Sequence, residues 1–317
     1  MRYFITGGAG FIGSHIADRL LAQGDQVVVY DNFSTGQELF VAHQLQNPNY
    51  TLVRNDVLNR DALLEAMDGC EMVFHFQANA DVRGGITNTS IDLQQNTTGT
   101  YQVLECMRQL GIKKIAFASS ATVYGEPTVF PTPEDYYSRQ TSLYGASKAA
   151  AEDLIEAFCE YYGIQGYIFR FVSFVGPRYT HGVIFDFMKK LLATPGRLDI
   201  LGNGQQRKSY LDVIDGVSAI LLAVEKANDQ VNIFNLGNKE YLTVNELAQI
   251  MTTHLDMKDV EFVYSGGERG WLGDSPFVHL DISRIRSLGW APSFSIKEGV
   301  LRTVDFLKEN SYLLTNR

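Results

Sequence analysis

The chain has 317 residues, of which 45% are hydrophobic and 20% charged, and its formal net charge is -9 at pH 7. This acidic balance argues against broad nucleic-acid or anionic-membrane binding, because both need clustered Lys and Arg. An anionic ligand would have to be held by a few local basic side chains. No apolar stretch approaches the roughly 20 residues that cross a bilayer. The three cysteines, Cys70, Cys106 and Cys159, lack CxxC spacing and indicate reduced thiols in a soluble cytoplasmic protein.

Short apolar segments alternate with helical segments through the first half of the chain. The pattern predicts helices at 14–23, 88–110 and 144–162, and strands at 2–6, 26–30, 51–55, 72–76, 114–118 and 165–171. Such alternation is typical of a parallel sheet with helices on both faces, the doubly wound α/β class.

After Pro177 the composition of the chain changes, and loops rich in Gly, Pro and Arg mix with short helices. One further sheet strand is predicted at 232–236. We therefore expect a larger domain over residues 1–177 that also takes in about 211–239. A smaller mixed α/β C-terminal lobe would comprise 178–210 and 240–317.

The junction of the first strand and the first helix reads T-G-G-A-G-F-I-G-S-H. Gly7, Gly10 and Gly13 permit a tight turn and close backbone approach, while the helix N-terminus offers N–H groups to a pyrophosphate. Phe11 and Ile12, between these glycines, are assigned to the same site. Three spaced glycines alone also fit an ordinary turn, but their position and a following acid favour a Rossmann-type dinucleotide site.

That acid is Asp31 in Y-D-N-F-S-T-G, with Asn32 beside it. A carboxylate there can bind both adenosine ribose hydroxyls and would repel a 2′-phosphate, so NAD is favoured over NADP. The alternative interpretation of Asp31 is a turn or helix cap. Asp56 and Val57, just after the third strand, are assigned to the surroundings of the adenine.

The segment T-S-L-Y-G-A-S-K, residues 141–148, places Tyr144 one helical turn before Lys148, so the two side chains share a face. A free tyrosine, with a pKa near 10, is a poor base at neutral pH. A lysine ammonium and a cationic nicotinamide nearby would favour the phenolate and lower that pKa. The alternative is a solvated Tyr–Lys pair on a helix surface.

Six motifs follow one another along the chain: T-G-G-A-G-F-I-G, D-N-F-S-T-G, A-S-S-A-T-V-Y-G, Y-G-A-S-K, R-F-V-S-F-V-G-P-R and G-N-G-Q-Q-R-K-S-Y-L-D-V-I-D. In this order they resemble the extended short-chain dehydrogenase/reductase superfamily. Within it, the nucleotide-sugar epimerase/dehydratase family is most similar, especially the UDP-glucose (UDP-galactose) 4-epimerases. The resemblance spans nearly the whole chain.

The resemblance implies Tyr144 as base, Lys148 as its electrostatic partner and ribose ligand, and Ser120 as a hydrogen-bond donor to the reacting sugar oxygen. The implied reaction inverts C4 of a nucleotide sugar through a transient 4-keto intermediate, with NAD recycled. The related 4,6-dehydratases and UDP-glucuronate decarboxylases typically carry an acid directly after this Ser. Here Ala121 and Thr122 follow, which favours an epimerase. A 4-keto reductase would more often use NADPH, which Asp31 disfavours.

The same resemblance assigns the nucleotide diphosphate to the C-terminal lobe. Arg178, Lys208 and Arg269 are the local cations that would match two phosphates, although each could instead be a solvated surface charge. Lys208 stands where the family more often has arginine, and Ser173 where relatives commonly have an asparagine. Val278 falls near the position that limits room around C2 of the sugar, and its intermediate size neither excludes nor demands a 2-acetamido group.

The segment after the fourth strand, H-F-Q-A-N-A-D-V-R, is unusually polar. Phe76 and Gln77 are assigned to the cofactor site. Gln77 and Asn79 could reach the sugar or the cofactor ribose, or cap local turns. Arg83 would favour a carboxylate or phosphate on the substrate, so UDP-glucuronate remains open.

The histidines His75, His181 and His279 show no metal-ligand spacing, and we expect packing or hydrogen-bonding roles and no metal. The two long helices carry wide apolar faces that are mostly core, with an excess that suits the homodimer common in the family. The competing hypotheses are another enzyme that modifies nucleotide sugars and a non-catalytic NAD-sensing protein. Such an enzyme would be a 4,6-dehydratase, a UDP-glucuronate decarboxylase or a 4-keto reductase.

Overall fold

The computed structural model describes residues 1–137 and 139–315, which form two compact units. The first unit comprises Met1–Gly125, Tyr137–Arg170 and Ile220–Phe234. The second unit comprises Glu126–Tyr136, Phe171–Ala219 and Asn235–Arg317. The N-terminal portion of the first unit therefore ends at Arg170, before residue 177, and the loop Glu126–Tyr136 belongs to the second unit although it lies early in the chain.

The strands, in chain order, are β1 (Arg2–Thr6), β2 (Gln26–Asp31), β3 (Tyr50–Arg54), β4 (Met72–His75), β5 (Lys114–Ser120), β6 (Gln165–Phe171), β7 (Ser173–Val175), β8 (Arg197–Ile200), β9 (Arg207–Lys208), β10 (Tyr210–Asp212), β11 (Val231–Leu236), β12 (Leu242–Thr243), β13 (Glu261–Tyr264) and β14 (Phe277–Val278). The helices are α1 (Phe11–Ala22), α2 (Glu38–Val41), α3 (Arg60–Met67), α4 (Gly99–Leu110), α5 (Leu143–Tyr162), α6 (Val183–Ala193), α7 (Val213–Lys226), α8 (Val244–His254), α9 (Ser283–Ser287) and α10 (Ile296–Glu309). No helix in the described part of the chain is long and apolar enough to cross a membrane.

A seven-stranded sheet in the order β11-β6-β5-β4-β1-β2-β3 forms the centre of the first unit. Parallel registers join β1 to β2 and β4, β2 to β3, and β4 to β5. From β1 the chain moves outward to β2 and β3, and then returns to build the other half from β4, so the direction of winding reverses between β1 and β4. This confirms the doubly wound, Rossmann-type parallel sheet, and such a reversal is where α/β folds bind dinucleotides.

Two predicted helices differ from the structure. The first helix begins at Phe11, three residues earlier than expected, because Gly10 already serves as its N-cap in an extended conformation. The predicted helix over 88–110 is interrupted by a π-helical segment, Leu93–Thr98, before α4. The Thr100 hydroxyl donates to the carbonyl of Asn96 at 2.6 Å inside this region. A π-helical turn often marks a functional site.

The core of the first unit is a continuous apolar cluster under the sheet, with Phe4, Val73, Leu104 and Ile155 fully buried in it. Burial of each such side chain contributes about 1.5–3 kcal/mol. In the second unit, short two- and three-stranded sheets pair β7 with β10, β9 with β12 and β14, and β8 with β13. This confirms a mixed α/β composition for the C-terminal part.

Candidate active site

The turn between β1 and α1 needs glycine at positions where the backbone passes close to itself. Gly7 adopts φ +70, and a Cβ there would lie 2.7 Å from the backbone nitrogen of Gln77. A Cβ on Gly13 would lie 2.3 Å from the carbonyl oxygen of Gly7. Side chains are therefore excluded, and the N-terminus of α1, whose first N–H groups have no partner within the helix, lies directly after the turn.

A Gly13→Ala variant tests this turn. We expect it to lose NAD affinity by at least about tenfold, because the new methyl group can be accommodated only if the backbone of Gly7 moves. Isothermal titration with NAD measures the change. Gly196→Ala is the matched control, since nothing lies within 4 Å of its Cβ position and NAD binding should be unchanged. Equal affinity in both variants would contradict a cofactor role for the turn.

Asp31 is buried at the end of β2 and faces the same turn. Its Oδ2 accepts from the backbone N–H of Ala9 at 2.9 Å and its Oδ1 from that of Phe33 at 2.8 Å. Burial raises the pKa of Asp31, against these two hydrogen bonds and the nearby Arg54, which lower it. Each carboxylate oxygen retains a lone pair that a ribose hydroxyl could use.

The other predicted cofactor residues lie at the carboxyl ends of neighbouring strands. Asn32 Nδ2 donates to Asp56 Oδ2 at 2.8 Å, and Val57 is buried next to this pair. Phe76 and Gln77 follow β4, and Gln77 Nε2 donates to Gln95 Oε1 at 2.7 Å. Because these strands are adjacent and parallel, their ends meet at one edge of the sheet with Gly10 and Ile12.

This edge fits a dinucleotide on its own geometry. The glycine turn leaves space for a pyrophosphate at the N-terminus of α1, and Asp31 stands where a ribose diol would bind. The fit includes the preference for NAD, since a 2′-phosphate would meet a buried carboxylate.

Ser120 is the last residue of β5 and begins a 3-10 turn, Ala121–Tyr124. Its Oγ accepts from the backbone N–H of Thr122 at 3.2 Å and from the Thr122 hydroxyl at 2.9 Å. The Ser120 hydroxyl also forms a hydrogen bond with the phenol of Tyr144. The structure thus brings the hydroxyls of Ser120 and Thr122 together with the phenol of Tyr144, which follows them by at least 22 residues in the chain.

Tyr144 and Lys148 lie on the first turns of α5, which begins where the Ser142 hydroxyl accepts from the N–H of Gly145 at 3.0 Å. Lys148 is 2% exposed, and its Nζ donates to the carbonyl of Ala118 at 2.7 Å. It also lies 4.7 Å from the centre of the Phe117 ring. The pair is therefore not a solvated surface pair, and the lysine is fixed against β5.

In the chain without cofactor, burial dominates the protonation of the pair. Burial and, after it, the Asp92 carboxylate raise the pKa of the Tyr144 phenol to about 12, against the Ser120 hydrogen bond, which lowers it. Burial lowers the pKa of Lys148 to about 7, against the carboxylates of Glu152 and Asp92, which raise it. The chain alone therefore keeps Tyr144 as a neutral phenol, and the stabilisation of its phenolate must come with bound cofactor.

A buried ion pair under Lys148 was not predicted from the sequence. Glu152, one turn after Lys148, accepts from Arg170 Nη2 at 2.7 Å and from the Ser119 hydroxyl. Arg170 Nη1 also donates to the Tyr124 hydroxyl at 2.9 Å. The spacing of four residues from Lys148 was the only signal in the sequence. This network joins α5 to β5 and β6 one helical turn after Lys148.

The segment after β4 is held by its own side chains. Asn79 Nδ2 donates to the carbonyl of Asp81 at 3.1 Å and to Asp92 Oδ1 at 2.9 Å. Arg83 Nε lies 3.7 Å from Asp81 Oδ1 on the exposed side. The amide of Asn79 thus serves the local turn, which was one of its two predicted roles.

Three of the five predicted substrate residues of the C-terminal part lie on strands of the second unit. Lys208 and Val278 are register partners on β9 and β14, and Ser173 begins β7. Lys208 Nζ contacts Asp274 Oδ1 at 2.6 Å, and Arg269 contacts Glu126 at 2.7 Å. Both cations are therefore ion-paired; the Lys208 pair is largely buried, whereas the Arg269 pair is exposed.

Asp274 links these two cations and was missed by the sequence analysis. Besides Lys208, it accepts through its main-chain carbonyl from Arg269 Nη1 at 2.8 Å, and through Oδ2 from the N–H of Gly270 at 3.1 Å. Arg178, the fifth residue, has φ 70, a left-handed conformation that is uncommon for arginine.

His75, one of the three histidines, has the hydrogen-bonding role that was expected. Its Nδ1 pairs with the Thr6 hydroxyl at 2.7 Å and its Nε2 with that of Thr100 at 3.0 Å. Burial and Lys148 lower the pKa of His75 to about 3, so the ring is neutral. It supports the sheet edge without contributing charge.

Comparison with known proteins agrees with this geometry. Residues 3–237 match the family described as the NAD dependent epimerase/dehydratase family. A protein of Methanocaldococcus jannaschii, assigned provisionally as a UDP-glucose 4-epimerase, is 35% identical over 97% of this chain and 98% of its own.

Two solved structures are similar over nearly the whole chain. UDP-glucose 4-epimerase of Thermotoga maritima, solved with UDP-glucose, has a TM-score of 0.89 at 32% identity, with 98% of this chain and 100% of that chain covered. The dTDP-glucose 4,6-dehydratase of Streptomyces venezuelae, solved with NAD bound, has a TM-score of 0.91 at 27% identity, with 98% of both chains covered. These findings confirm an NAD-dependent enzyme with a Rossmann-type fold. The chain belongs to the NAD-dependent epimerase/dehydratase family.

Proposed function

We propose that the protein is a nucleotide-sugar 4-epimerase of the UDP-glucose/UDP-galactose type. The observation that carries the proposal is the hydroxyl set of Ser120, Thr122 and Tyr144, in which Thr122 donates to Ser120 at 2.9 Å. The two positions after Ser120 carry no carboxyl group. Proton transfer at one hydroxyl is supported there, but no acid follows Ser120 to assist elimination or decarboxylation. Relatives named as UDP-glucose 4-epimerases support a UDP-hexose as the class of substrate.

The chain's own residues then divide the reaction between them. Ser120 hydrogen-bonds the 4-hydroxyl oxygen of the sugar, and Tyr144 in its phenolate form accepts the proton. Lys148 is held by the Ala118 carbonyl and, in its protonated form, places a positive charge near the base. The redox chemistry at C4 is supplied by NAD when it is bound, with no net oxidation over the cycle. After the 4-keto sugar has rotated in the pocket, Tyr144 returns the proton to O4 of the sugar, whose C4 then has the opposite configuration.

Binding of the substrate diphosphate is assigned to Arg178, Lys208 and Arg269, with Ser173 and Val278 nearby in the chain's second unit. Asn79 and Arg83 are kept as candidate contacts from the segment after β4. The half-buried side chain of Val278 is of intermediate size, which is compatible with either a 2-hydroxyl or a 2-acetamido sugar.

A mass-resolved product assay tests the proposal with UDP-glucose, UDP-galactose, UDP-GlcNAc and UDP-glucuronate in separate reactions. We expect a product of unchanged mass, formed reversibly without consumption of NAD. Loss of water or CO2 would instead indicate a dehydratase or a decarboxylase. Consumption of a reduced cofactor would indicate a 4-keto reductase, and binding of NAD without turnover of any sugar would indicate a sensing protein.

We further propose a homodimer in the cytoplasm. Tyr161 is 78% exposed at the end of α5, and Tyr162 and Tyr101 of α4 are each 40% exposed beside it, with Phe158 packed between them. An exposed aromatic group of this kind suits a contact between copies of the helices. The three buried free cysteines suit a reducing compartment. Sedimentation equilibrium measures the oligomeric state.

A further inference from the structure

A buried carboxylate, Asp92, lies near the catalytic residues and has no role in the reaction described above. The residue is 1% exposed and directly precedes the π-helical segment. Its Oδ1 accepts from Asn79 Nδ2 at 2.9 Å and from Asn96 Nδ2 at 3.2 Å. Its Oδ2 is buried and has no hydrogen-bond partner among the described residues. Burial of a charged oxygen without a partner is costly, so the position calls for an explanation.

Hydrogen bonds connect Asp92 to residues 143–148 of α5, here called the catalytic turn. Asn96 Nδ2 also donates to the Ser147 hydroxyl at 2.9 Å, and that hydroxyl donates to the carbonyl of Tyr144 at 2.8 Å. On the other side, Asn96 Oδ1 accepts from the backbone N–H of Asn79 at 2.8 Å. Asp92 and Asn96 together therefore fix the segment after β4 and the backbone of the catalytic tyrosine in one network.

The loop above Asp92 closes tightly on the unpartnered oxygen. A Cβ on Gly85 would lie 2.8 Å from Asp92 Oδ2 and 3.2 Å from the Cβ of Leu143, the residue before Tyr144. A larger residue at Gly85 is therefore disfavoured, and the carboxylate is enclosed between this loop and the start of α5. The enclosure keeps water from screening the charge.

We propose that Asp92 is a positioning residue for the catalytic turn: it fixes Asn79 and Asn96 and holds a buried negative charge within electrostatic reach of Tyr144 and Lys148. The inference deepens the proposed epimerase function and rests on it. In such a reaction the base must return the proton that it has taken. The positive charge of a bound nicotinamide would lower the pKa of the phenol, and the Asp92 carboxylate raises it, which favours return of the proton.

The charges around Asp92 are few. Asp81 faces it from the segment after β4, and Lys148 from α5. Glu152 acts on Lys148 from the next turn of α5, while His75 at the end of β4 is neutral. Burial raises the pKa of Asp92, and the Asn79 and Asn96 amides lower it by stabilising the carboxylate. The carboxylate in turn raises the pKa of both Tyr144 and Lys148.

The first test is the pH dependence of kcat/KM in Asp92→Asn, which keeps the side-chain shape and an oxygen acceptor but removes the charge. Loss of a negative charge lowers the pKa of Tyr144 and of Lys148 alike. We therefore expect both limbs of the profile to move to lower pH by about 0.5–1 unit. A purely structural defect would reduce the height of the profile and leave its limbs in place. Asp153→Asn, which changes an exposed acid on α5, is the control and should leave both limbs unmoved.

The second test does not depend on activity. Tyrosine labelled with 13C at Cζ reports ionisation by NMR in the NAD-bound enzyme, and the Tyr144 resonance is the one missing from Tyr144→Phe. We expect its titration to move to lower pH in Asp92→Asn by the same amount as the acid limb. Asp92→Ser serves if the asparagine does not pack, with thermal unfolding as the check on folding. If the Tyr144 titration did not move in a folded Asp92→Asn variant, the inference would be overturned. If the parent enzyme did not epimerise any of the sugars in the product assay, the proposed function would be overturned instead.

Discussion

A Tyr144→Phe variant is expected to lose about 10²–10⁴-fold in kcat while it keeps NAD and changes the KM for the nucleotide sugar little. The phenylalanine ring fills the same space, so only the hydroxyl that accepts and returns the proton is removed. Because the Ser120 hydroxyl bonds that phenol, the loss also leaves Ser120 without this partner. Steady-state kinetics of sugar interconversion and the absorbance of bound cofactor measure the two quantities.

Tyr312→Phe is the matched control for this variant, since that tyrosine is 46% exposed and lies outside the first unit. We expect its kcat to stay within about twofold of the parent, because surface substitutions away from special features have small effects. A Tyr144→Phe enzyme with parental kcat would refute the assignment of the base. A variant that binds NAD poorly would instead indicate a disrupted fold around α5.

Replacement of Glu152 by leucine is expected to destabilise the first unit by about 3–5 kcal/mol, because it leaves the buried charge of Arg170 without its carboxylate. Arg170 and Glu152 side chains are 12% and 4% exposed, so water cannot replace the lost partner. Urea unfolding followed by far-ultraviolet circular dichroism measures the change. The pKa of Lys148 should also fall below its value of about 7, since Glu152 is the first of the groups that raise it.

The double variant Glu152→Leu/Arg170→Met separates the ion pair from simple loss of packing. Removal of both charges should restore most of the lost stability, as replacement of a buried ion pair by apolar groups is often neutral. Glu160→Gln, an exposed acid on the same helix, should change the free energy of unfolding by less than about 0.5 kcal/mol. If the double variant were no more stable than the single one, the pairing would not be the cause.

The cofactor edge was predictable because its demands are local. Gly7 and Gly13 meet steric limits set by backbone atoms a few residues away or on the next strand, and such limits leave a direct trace in residue type. The same is true of Tyr144 and Lys148, whose spacing of one turn is a property of the helix itself. The order of parallel strands then brought Asp31 to the same edge without further information.

The buried charges were not predictable for the opposite reason. A glutamate or an aspartate in a helical stretch is usually exposed, and only the three-dimensional packing shows that Glu152 and Asp92 are enclosed. The π-helical segment that follows Asp92 also has no signature in apolar periodicity, so a plain helix was expected there. Burial, which a sequence does not specify, also raises the pKa of Tyr144 in the chain without cofactor.

The partners of the predicted phosphate-binding cations in the second unit have a consequence for how affinity depends on ionic strength. Lys208 and Arg269 are already neutralised by Asp274 and Glu126. A diphosphate that these cations bind must therefore displace or share two carboxylates, so the process is an exchange of ion pairs. Salt weakens the pairs on both sides of an exchange, and their effects partly cancel. Substrate binding should accordingly be less sensitive to salt than a site built from two unpaired cations.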